Sequence, residues 1–247
     1  MTIRAAVATL AALALGLAAC GKSEDATGSP AASEPVAKVA APAGSTWAEK
    51  IAVTPEGGYL MGNPDAPIKL VEYGALSCSH CAEFSEAGFT KLRDDYVNSG
   101  RVSYELRLFM LNALDIPAAL LATCGAPETV IPLSEQYWEW QPNMFTNLQS
   151  AGEAQLQAAG SLPPAQRFGA IAQLAGMSAF FAERGIAADQ AAGCLADVNK
   201  ATALSNATQA ASEKGVTGTP WFFVNGKDVG TQTWATLEPM LQNAGAR

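Results

Sequence analysis

The fold is decided by one stretch of the chain, Ile68-Lys69-Leu70-Val71-Glu72-Tyr73-Gly74-Ala75-Leu76-Ser77-Cys78-Ser79-His80-Cys81. Its first part, residues 68–73, is β-branched and apolar, which predicts a central strand. From 78 to 97 apolar residues recur at helical spacing, and from 101 to 109 apolar and polar residues alternate. The pattern therefore predicts a strand, a helix that begins at the cysteines, and a second strand.

Cys78-Ser79-His80-Cys81 is a C-x-x-C pair at the junction of that strand and that helix. Free N–H groups and the helix dipole at a helix N-terminus stabilise a thiolate, and a thiolate is the nucleophile in disulfide exchange. Cys78 is then the candidate nucleophile, and Cys81, one turn further along, is the candidate resolving cysteine. His80, when protonated, adds positive charge beside Cys78.

Other uses of the cysteine pair stay open. The pair could form a structural disulfide that closes a tight turn. A zinc site needs four ligands, or three and a water, whereas the chain offers this pair, its single histidine and two remote cysteines. Haem attachment needs a histidine directly after the second cysteine, where Ala82 stands. The redox interpretation is favoured, and it requires neither a metal nor an organic cofactor.

Glu72 lies six residues before Cys78 in an otherwise apolar strand. Burial beneath the cysteines would raise the pKa of its carboxyl group. Glu72 could then exchange a proton with Cys81 as that sulfur is attacked or released. The alternative is a glutamate on an edge strand that faces water.

Gly218-Thr219-Pro220 stands directly before the apolar run Trp221–Val224, which predicts a strand. Proline can open a strand but cannot pair inside a central one. A cis Thr219-Pro220 peptide bond would turn the Thr219 backbone toward the cysteines, where it could pair with an extended substrate segment.

The long region between the second strand and Thr219 is rich in alanine, and apolar residues recur in it at helical spacing. The predicted helices are Ile116–Cys124, Pro164–Arg184, Ala188–Leu195 and Lys200–Glu213, with loops between them. After the run at 221–224, Asn225-Gly226 predicts a hairpin turn, and Thr233 to Asn243 predicts a closing helix. A block of helices inserted into a small mixed sheet follows from this order.

The N-terminus has the pattern of an export signal. A run of small apolar residues from 5 to 19 is too short to span a bilayer comfortably. It ends in Leu17-Ala18-Ala19-Cys20-Gly21, which resembles the lipobox of bacterial lipoproteins. We expect a signal peptide at 1–19, and at 20–46 a lipidated Cys20 followed by a flexible tether. The alternative is an ordinary cleaved signal in which Cys20 has no role.

The composition is that of a folded, acidic protein. Apolar residues make up 49% and charged residues 15% of the 247 residues, which excludes wholesale disorder. The formal net charge is −8, and no basic stripe is present, so we expect no nucleic-acid partner. Without Cys20 the mature chain has four cysteines, an even number that suits an exported, disulfide-permissive setting.

Glu72, the C-x-x-C pair and the later run Thr219-Pro220-Trp221-Phe222-Phe223-Val224-Asn225-Gly226-Lys227 together resemble the thioredoxin superfamily. Within it, the chain is similar to the DsbA-like thiol:disulfide oxidoreductases of the bacterial envelope. The resemblance covers the globular part from Trp47 onward. It implies an α/β thioredoxin fold, a mixed sheet with a large helical insertion, divided as 47–111, 112–214 for the insertion, and 215–247.

The resemblance also implies roles for individual residues. Cys78 is similar to the exposed nucleophile, Cys81 to its buried partner and Glu72 to the buried acid. His80 resembles the histidine that stabilises the thiolate and makes the disulfide oxidising. Thr219 and Pro220 match the variable residue and the cis-proline.

Two positions depart from the oxidase pattern, and both tune the redox potential. Ser79 stands where many oxidases have proline, and Thr219 stands where the best-known oxidase has valine. A reductase or isomerase of the same fold is therefore the alternative to an oxidase. A tethered polypeptide-binding module with a merely structural cysteine pair is a third hypothesis.

Cys124 and Cys194 form a second pair within predicted helices of the insertion. Some DsbA-like proteins carry a second, non-catalytic disulfide in this region, so the resemblance implies a structural bridge here. The alternative is two buried, reduced cysteines that pack as small hydrophobic residues.

The resemblance further implies the partners and the location. The substrates are reduced or unfolded exported proteins, and an oxidase would need a membrane reoxidase. We expect a monomer on the periplasmic side of the envelope, held to the membrane by the lipid on Cys20. Gly21 after that cysteine favours the outer membrane.

Overall fold

The computed structural model describes residues 33–247. The signal peptide predicted at 1–19 and the lipidation predicted at Cys20 lie outside the described residues. Within the described range, no helix is long and apolar enough to cross a membrane.

In this part of the chain, six strands form one mixed sheet in the order β1-β2-β4-β3-β5-β6. The strands are β1 Ile51–Val53, β2 Tyr59–Met61, β3 Ile68–Gly74, β4 Val102–Leu108, β5 Trp221–Val224 and β6 Lys227–Gly230. Strand β3 runs parallel to β4 and antiparallel to β5, so the predicted central strand is confirmed. The short strand β2, which the sequence pattern did not predict, pairs with both β1 and β4.

The helix predicted from Cys78 starts as α1 (Ser79–Phe84) and continues through wider π-type turns to Val97. The closing helix, α9 (Trp234–Asn243), packs beside it. Its Trp234 makes an edge contact with Phe84 at 6.2 Å between ring centroids. Gly88 permits this approach, because a Cβ atom there would stand 2.3 Å from the Trp234 indole. Helix α1 is therefore fixed against the sheet by aromatic packing.

The insertion consists of helices, as predicted. They are α2 Asp115–Ala122, α3 Val130–Ala151, α4 Glu153–Gly160, α5 Pro164–Leu174, α6 Met177–Ala182, α7 Ala188–Leu195 and α8 Val198–Glu213. The aromatic rings of Tyr137, Trp140, Phe180 and Phe181 pack together within it.

Two predictions for the insertion are wrong. The 22-residue helix α3 and the helix α4 were predicted to be loops. Helix α3 carries Pro142 in its interior, a residue that normally signals a break, and burial of its apolar face against α1 and the rest of the fold outweighs that signal. The single helix predicted over 164–184 is two helices, because Gly176 adopts φ +76° between them.

The prediction of a free tether through residue 46 is also wrong from residue 33 onward. The Val36 N–H donates to Gly245 O at 2.9 Å, and the Trp47 indole N–H donates to Val39 O at 2.8 Å. The composition of this segment excludes a core of its own, but hydrogen bonds of an extended backbone need no apolar side chains. The segment therefore lies against the C-terminal end of the fold.

Candidate active site

Cys78 is the N-cap residue of α1, directly after the turn that leaves β3. Its sulfur accepts a hydrogen bond from the Cys81 N–H at 3.3 Å, and its thiol donates to Thr219 O at 3.2 Å. The Cys81 thiol, then the Thr219 side chain and the backbone N–H groups of Cys81 and His80, lower the Cys78 pKa to about 6 against the opposing effect of burial. The Cys78 thiol therefore loses its proton more readily than an ordinary cysteine thiol.

Cys81 lies on the buried side of α1 and is completely inaccessible to solvent. Burial, and then the hydrogen bond that it gives to Cys78, raises its pKa well above the usual range. Both cysteines are free thiols in the structure. Cys78, expected to be exposed, keeps only 5% of its surface accessible because the backbone of Thr219 lies against its sulfur.

Glu72 lies on the buried face of β3, with 1% of its surface exposed. Burial raises the pKa of its carboxyl to about 8, although the Tyr104 hydroxyl donates to Oε2 at 2.8 Å. Its other oxygen, Oε1, has no hydrogen-bond partner among the described residues. Charge on Glu72 raises the pKa of Cys81. The alternative of a glutamate facing water on an edge strand is thus wrong, because β3 is central.

His80 lies on the solvent side of α1, with 71% of its side chain exposed. Its Nδ1 is 3.0 Å from Glu83 Oε2, and the hydrogen bond to Glu83 raises the imidazole pKa. The imidazole therefore pairs with Glu83 rather than with Cys78. The hydrogen bond that His80 gives to Cys78 comes from its backbone N–H.

The Thr219-Pro220 peptide bond is cis, the geometry that the resemblance implied. The loop that carries it brings the Thr219 carbonyl to Cys78 across 141 residues of chain. The Thr219 backbone therefore lies next to the sulfur that a substrate would attack.

The turn between β3 and α1 is held from outside by residues of the insertion. Asp115, at the start of α2, is fully buried, and its carboxylate accepts from the Ser77 N–H at 2.7 Å and the Ser77 hydroxyl at 3.0 Å. The Asn112 side chain also donates to the Ser77 hydroxyl, at 2.6 Å. Ser77, the residue before the nucleophile, is thereby fixed to the insertion.

Helix α3 binds the same turn with two more buried side chains. The Trp138 indole donates to Ala75 O at 2.9 Å. The Gln141 amide donates to Leu76 O at 2.7 Å and to Cys78 O at 3.1 Å. Sequence reasoning missed Asp115, Trp138 and Gln141, because no motif links them to the cysteines.

A cavity of about 710 Å³ separates α1 from α3 beside the cysteines. Its lining includes Ser79 and Gln141 close to the site and Glu135 further along α3. The Ser85 hydroxyl donates to the Glu135 carboxyl, whose pKa is raised by burial. Carboxyl groups line both walls of the cavity, with Glu83 and Glu86 facing it from the α1 side and Glu135 and Glu139 from α3.

Cys124 and Cys194 form a disulfide, with their Cα atoms 5.8 Å apart. The bond joins the end of α2 to α7 inside the insertion. No cluster of three or more histidine, cysteine or acidic residues with metal-binding geometry occurs within residues 33–247.

A family profile described as thioredoxin matches residues 54–243. The chain belongs to the thioredoxin family. The match spans strands β2 to β6, both cysteine pairs, the helical insertion and the closing helix, so the family assignment covers nearly all of the described fold.

Among curated relatives, proteins of Rickettsia are named, provisionally, protein-disulfide oxidoreductases. The one from Rickettsia conorii is 27% identical over 194 residues, which are 75% of this chain and 59% of that protein. The one from Rickettsia prowazekii is 25% identical over 175 residues, 68% of this chain and 54% of that protein. This thioredoxin-family chain thus spans somewhat over half the length of these relatives.

Two solved structures have the same architecture. A protein-disulfide isomerase from Novosphingobium aromaticivorans is 31% identical, with a TM-score of 0.70, and the match covers 74% of this chain and 94% of that one. Wolbachia pipientis alpha-DsbA1 is 21% identical, with a TM-score of 0.62, over 78% of this chain and 92% of that one. The predicted fold class, a thioredoxin fold with a DsbA-like helical insertion, is confirmed.

Proposed function

We propose that this protein is a thiol:disulfide oxidoreductase of the bacterial envelope that donates the Cys78–Cys81 disulfide to exported proteins. The observation that carries the proposal is the opposed acidity of two cysteines one helical turn apart. The Cys78 pKa lies at about 6, whereas that of Cys81 is raised well above the usual range. The names of the rickettsial and Novosphingobium relatives support the same class of chemistry.

The reaction begins with the Cys78–Cys81 disulfide. A substrate thiolate attacks Cys78 Sγ, the S–S bond breaks, and Cys81 leaves with the electron pair. The substrate's second thiolate then attacks the substrate sulfur of the mixed disulfide and releases Cys78 as a thiolate. Two electrons pass from the substrate dithiol to the enzyme, and the substrate keeps the new disulfide. The low pKa makes Cys78 a good leaving group in the second step.

Glu72 supplies the proton that the first step needs. Cys81 leaves as a thiolate in a buried site, where the neutral thiol is strongly favoured. Glu72, with a pKa of about 8, is protonated at neutral pH and can transfer its proton toward Cys81. The Thr219 backbone, beside Cys78, can pair with an extended substrate segment.

The reduction potential of the Cys78–Cys81 pair tests the proposed direction. Glutathione buffers set the ratio of oxidised to reduced protein, and the Cys78→Ser variant, which should have no exchange activity, serves as the control. We expect a reduction potential of about −120 mV, as in strong oxidases. A value of about −270 mV would contradict an oxidase role. Persistent dithiol oxidation by the Cys78→Ser variant would refute the mechanism itself.

The second candidate function is a disulfide reductase or isomerase with the same cysteines. Thr219 before the cis-proline favours it, and the Novosphingobium relative is named an isomerase. Reshuffling of a scrambled multi-disulfide substrate by the reduced protein measures this activity directly. Isomerisation faster than dithiol oxidation would place the protein in this class. A binding module, by contrast, would keep its function with both Cys78 and Cys81 changed to Ala.

The location belongs to the same proposal. The sequence pattern supports export, lipidation at Cys20 and attachment to the periplasmic side of the outer membrane. The partners are then reduced exported proteins and, for an oxidase, a membrane reoxidase, with the enzyme acting as a monomer. Cys20→Ala should release the protein from the membrane fraction, and continued retention of the variant would count against the anchor.

A further inference from the structure

Gln141 is a buried amide that touches the backbone of the nucleophilic cysteine. It lies on α3 with 2% of its surface exposed. Its Nε2 group donates to Leu76 O at 2.7 Å and to Cys78 O at 3.1 Å, carbonyls on the two sides of Ser77. One amide group from the insertion thus spans the residues that lead into the redox cysteine.

Burial of this amide is not what packing alone would favour. A buried polar side chain costs free energy unless its hydrogen bonds are made, and an apolar residue of similar volume carries no such cost. Cys78 O already accepts the first helical hydrogen bond, from the Ala82 N–H at 3.2 Å. The Gln141 bond to the same oxygen is therefore additional to those that the helix requires.

The orientation of Cys78 has a chemical consequence. Its sulfur receives hydrogen bonds only if the residue keeps its extended N-cap conformation, φ −82° and ψ 118°. The Cys81 N–H donates to this sulfur at 3.3 Å, and a rotation of the Cys78 backbone that turns the sulfur away from the helix end breaks that bond. Because Gln141 holds the carbonyls before and after Ser77, it opposes this rotation.

We propose that Gln141 is a positioning residue for the redox reaction, which holds the Cys78 backbone so that the cysteine sulfur faces the free N–H groups of α1. The inference rests on the proposed thiol-disulfide chemistry but not on its direction. It assigns to the helical insertion a part in setting the reactivity of a site whose cysteines belong to the thioredoxin-like part of the chain.

The test is the ionisation of Cys78 in variants of the full chain. Gln141→Met keeps the length of the side chain and removes both donated hydrogen bonds without adding charge. Gln141→Leu likewise removes both donors and adds no charge. The matched control is Asn147→Leu, which removes an amide bond from the same helix to Ala175 O at 3.2 Å, inside the insertion.

Thiolate absorbance near 240 nm is followed against pH in the protein with its Cys78–Cys81 pair reduced. We expect both Gln141 variants to raise the Cys78 pKa by about half a unit or more, roughly a threefold change in its ionisation constant. Reaction with a small disulfide at pH 6 should slow by up to about twofold, because the thiolate fraction falls from about one half to about one quarter. Asn147→Leu should lower the melting temperature and leave both readings unchanged.

A folded Gln141→Met protein with the wild-type Cys78 pKa would overturn the inference, as would an equal shift in Asn147→Leu. Gln141→Leu decides the question if the Met variant does not fold. Failure of the proposed function has a different signature. In that case the wild-type protein itself shows no exchange with a small disulfide.

Discussion

Cys78 and Cys81 differ in acidity although one helical turn separates them. Cys78 stands at the N-terminus of α1, where backbone N–H groups have no helical partner and point at its sulfur. Cys81 lies one turn inside, away from solvent and beside Glu72, where a negative charge is disfavoured. Within one helical turn, the surroundings therefore favour the thiolate form of Cys78 and the neutral thiol form of Cys81.

Glu72→Gln should separate the kinetic role of this carboxyl from its effect on stability. The variant has no proton to transfer to Cys81, so we expect substrate oxidation at pH 7 to slow by at least about tenfold. This rate is measured as single-turnover oxidation of a reduced peptide by each protein. An unchanged rate would show that Glu72 transfers no proton in the slow step.

The same variant has a pH signature in stability. A carboxyl whose pKa rises from 4.5 to about 8 on folding stabilises the fold below pH 4.5, and this contribution is lost as the pH rises through 8. Between pH 5 and 8 the unfolding free energy of the wild type should fall by on the order of 3 kcal/mol relative to that of Glu72→Gln. Urea unfolding of the oxidised proteins at several pH values measures the difference. The same pH dependence of the unfolding free energy in both proteins would contradict this prediction.

Glu83→Gln should lower the pKa of His80. The hydrogen bond to Glu83 and its negative charge favour the protonated imidazole, and glutamine keeps only a neutral hydrogen bond. His80 is the chain's one histidine, so its NMR titration is free of overlap. Glu86→Gln, on the same helix, is the control, and equal titration curves for all three proteins would contradict the pairing.

At the scale of elements, the active-site turn is a junction of three parts of the chain. Strand β3 carries Glu72, helix α1 carries the cysteines, and α2 and α3 supply the side chains that bind residues 75–78. The cis-proline loop before β5 closes the site from the other side. The insertion is therefore a structural support of the redox site as well as an addition to the fold.

The Cys124–Cys194 disulfide should stabilise this support without taking part in catalysis. It closes 70 residues of chain, for which the chain-entropy estimate is about 4 kcal/mol of stabilisation. The double variant Cys124→Ala/Cys194→Ala should therefore unfold at a markedly lower urea concentration with the same Cys78 pKa. A lowered reduction potential in a fully folded double variant would instead indicate that the second pair acts on the first.

At the scale of the whole molecule, the segment at 33–46 contacts two parts of the chain, the turn before β4 and the C-terminal residues. Its backbone reaches the turn before β4 through Val39 and Ser99, at 2.9 Å, and the C-terminal residues through Val36. These bonds join the start of the described chain to its end. Residues 33–46 are therefore held against the fold and are not a free tether.

Val39→Pro tests this contact. Proline has no N–H group, so the bond to Ser99 O is lost, and we expect a loss of about 1 kcal/mol of unfolding free energy. Val39→Ala keeps the N–H and serves as the matched control. Equal stability of the two variants would mean that the segment adds nothing to the fold.

The sequence determined the elements whose signals are local. Central strand β3, the helix that begins at Cys78, the hairpin at Asn225-Gly226 and helix α7 at 188–195 were all predicted from the pattern of neighbouring residues. The C-x-x-C pair at a helix start already predicted which sulfur is the candidate nucleophile, because capping and the helix dipole act within one turn.

Tertiary structure decided what depends on distant partners. Helix α3 forms in spite of Pro142 because its apolar face is buried, and Gln141 reaches Cys78 across 63 residues of chain. The raised pKa of Glu72 follows from burial in the middle of the sheet, where Oε1 has no hydrogen-bond partner among the described residues. Burial and long-range hydrogen bonds are properties of the assembled chain, so no local pattern of residues determines them.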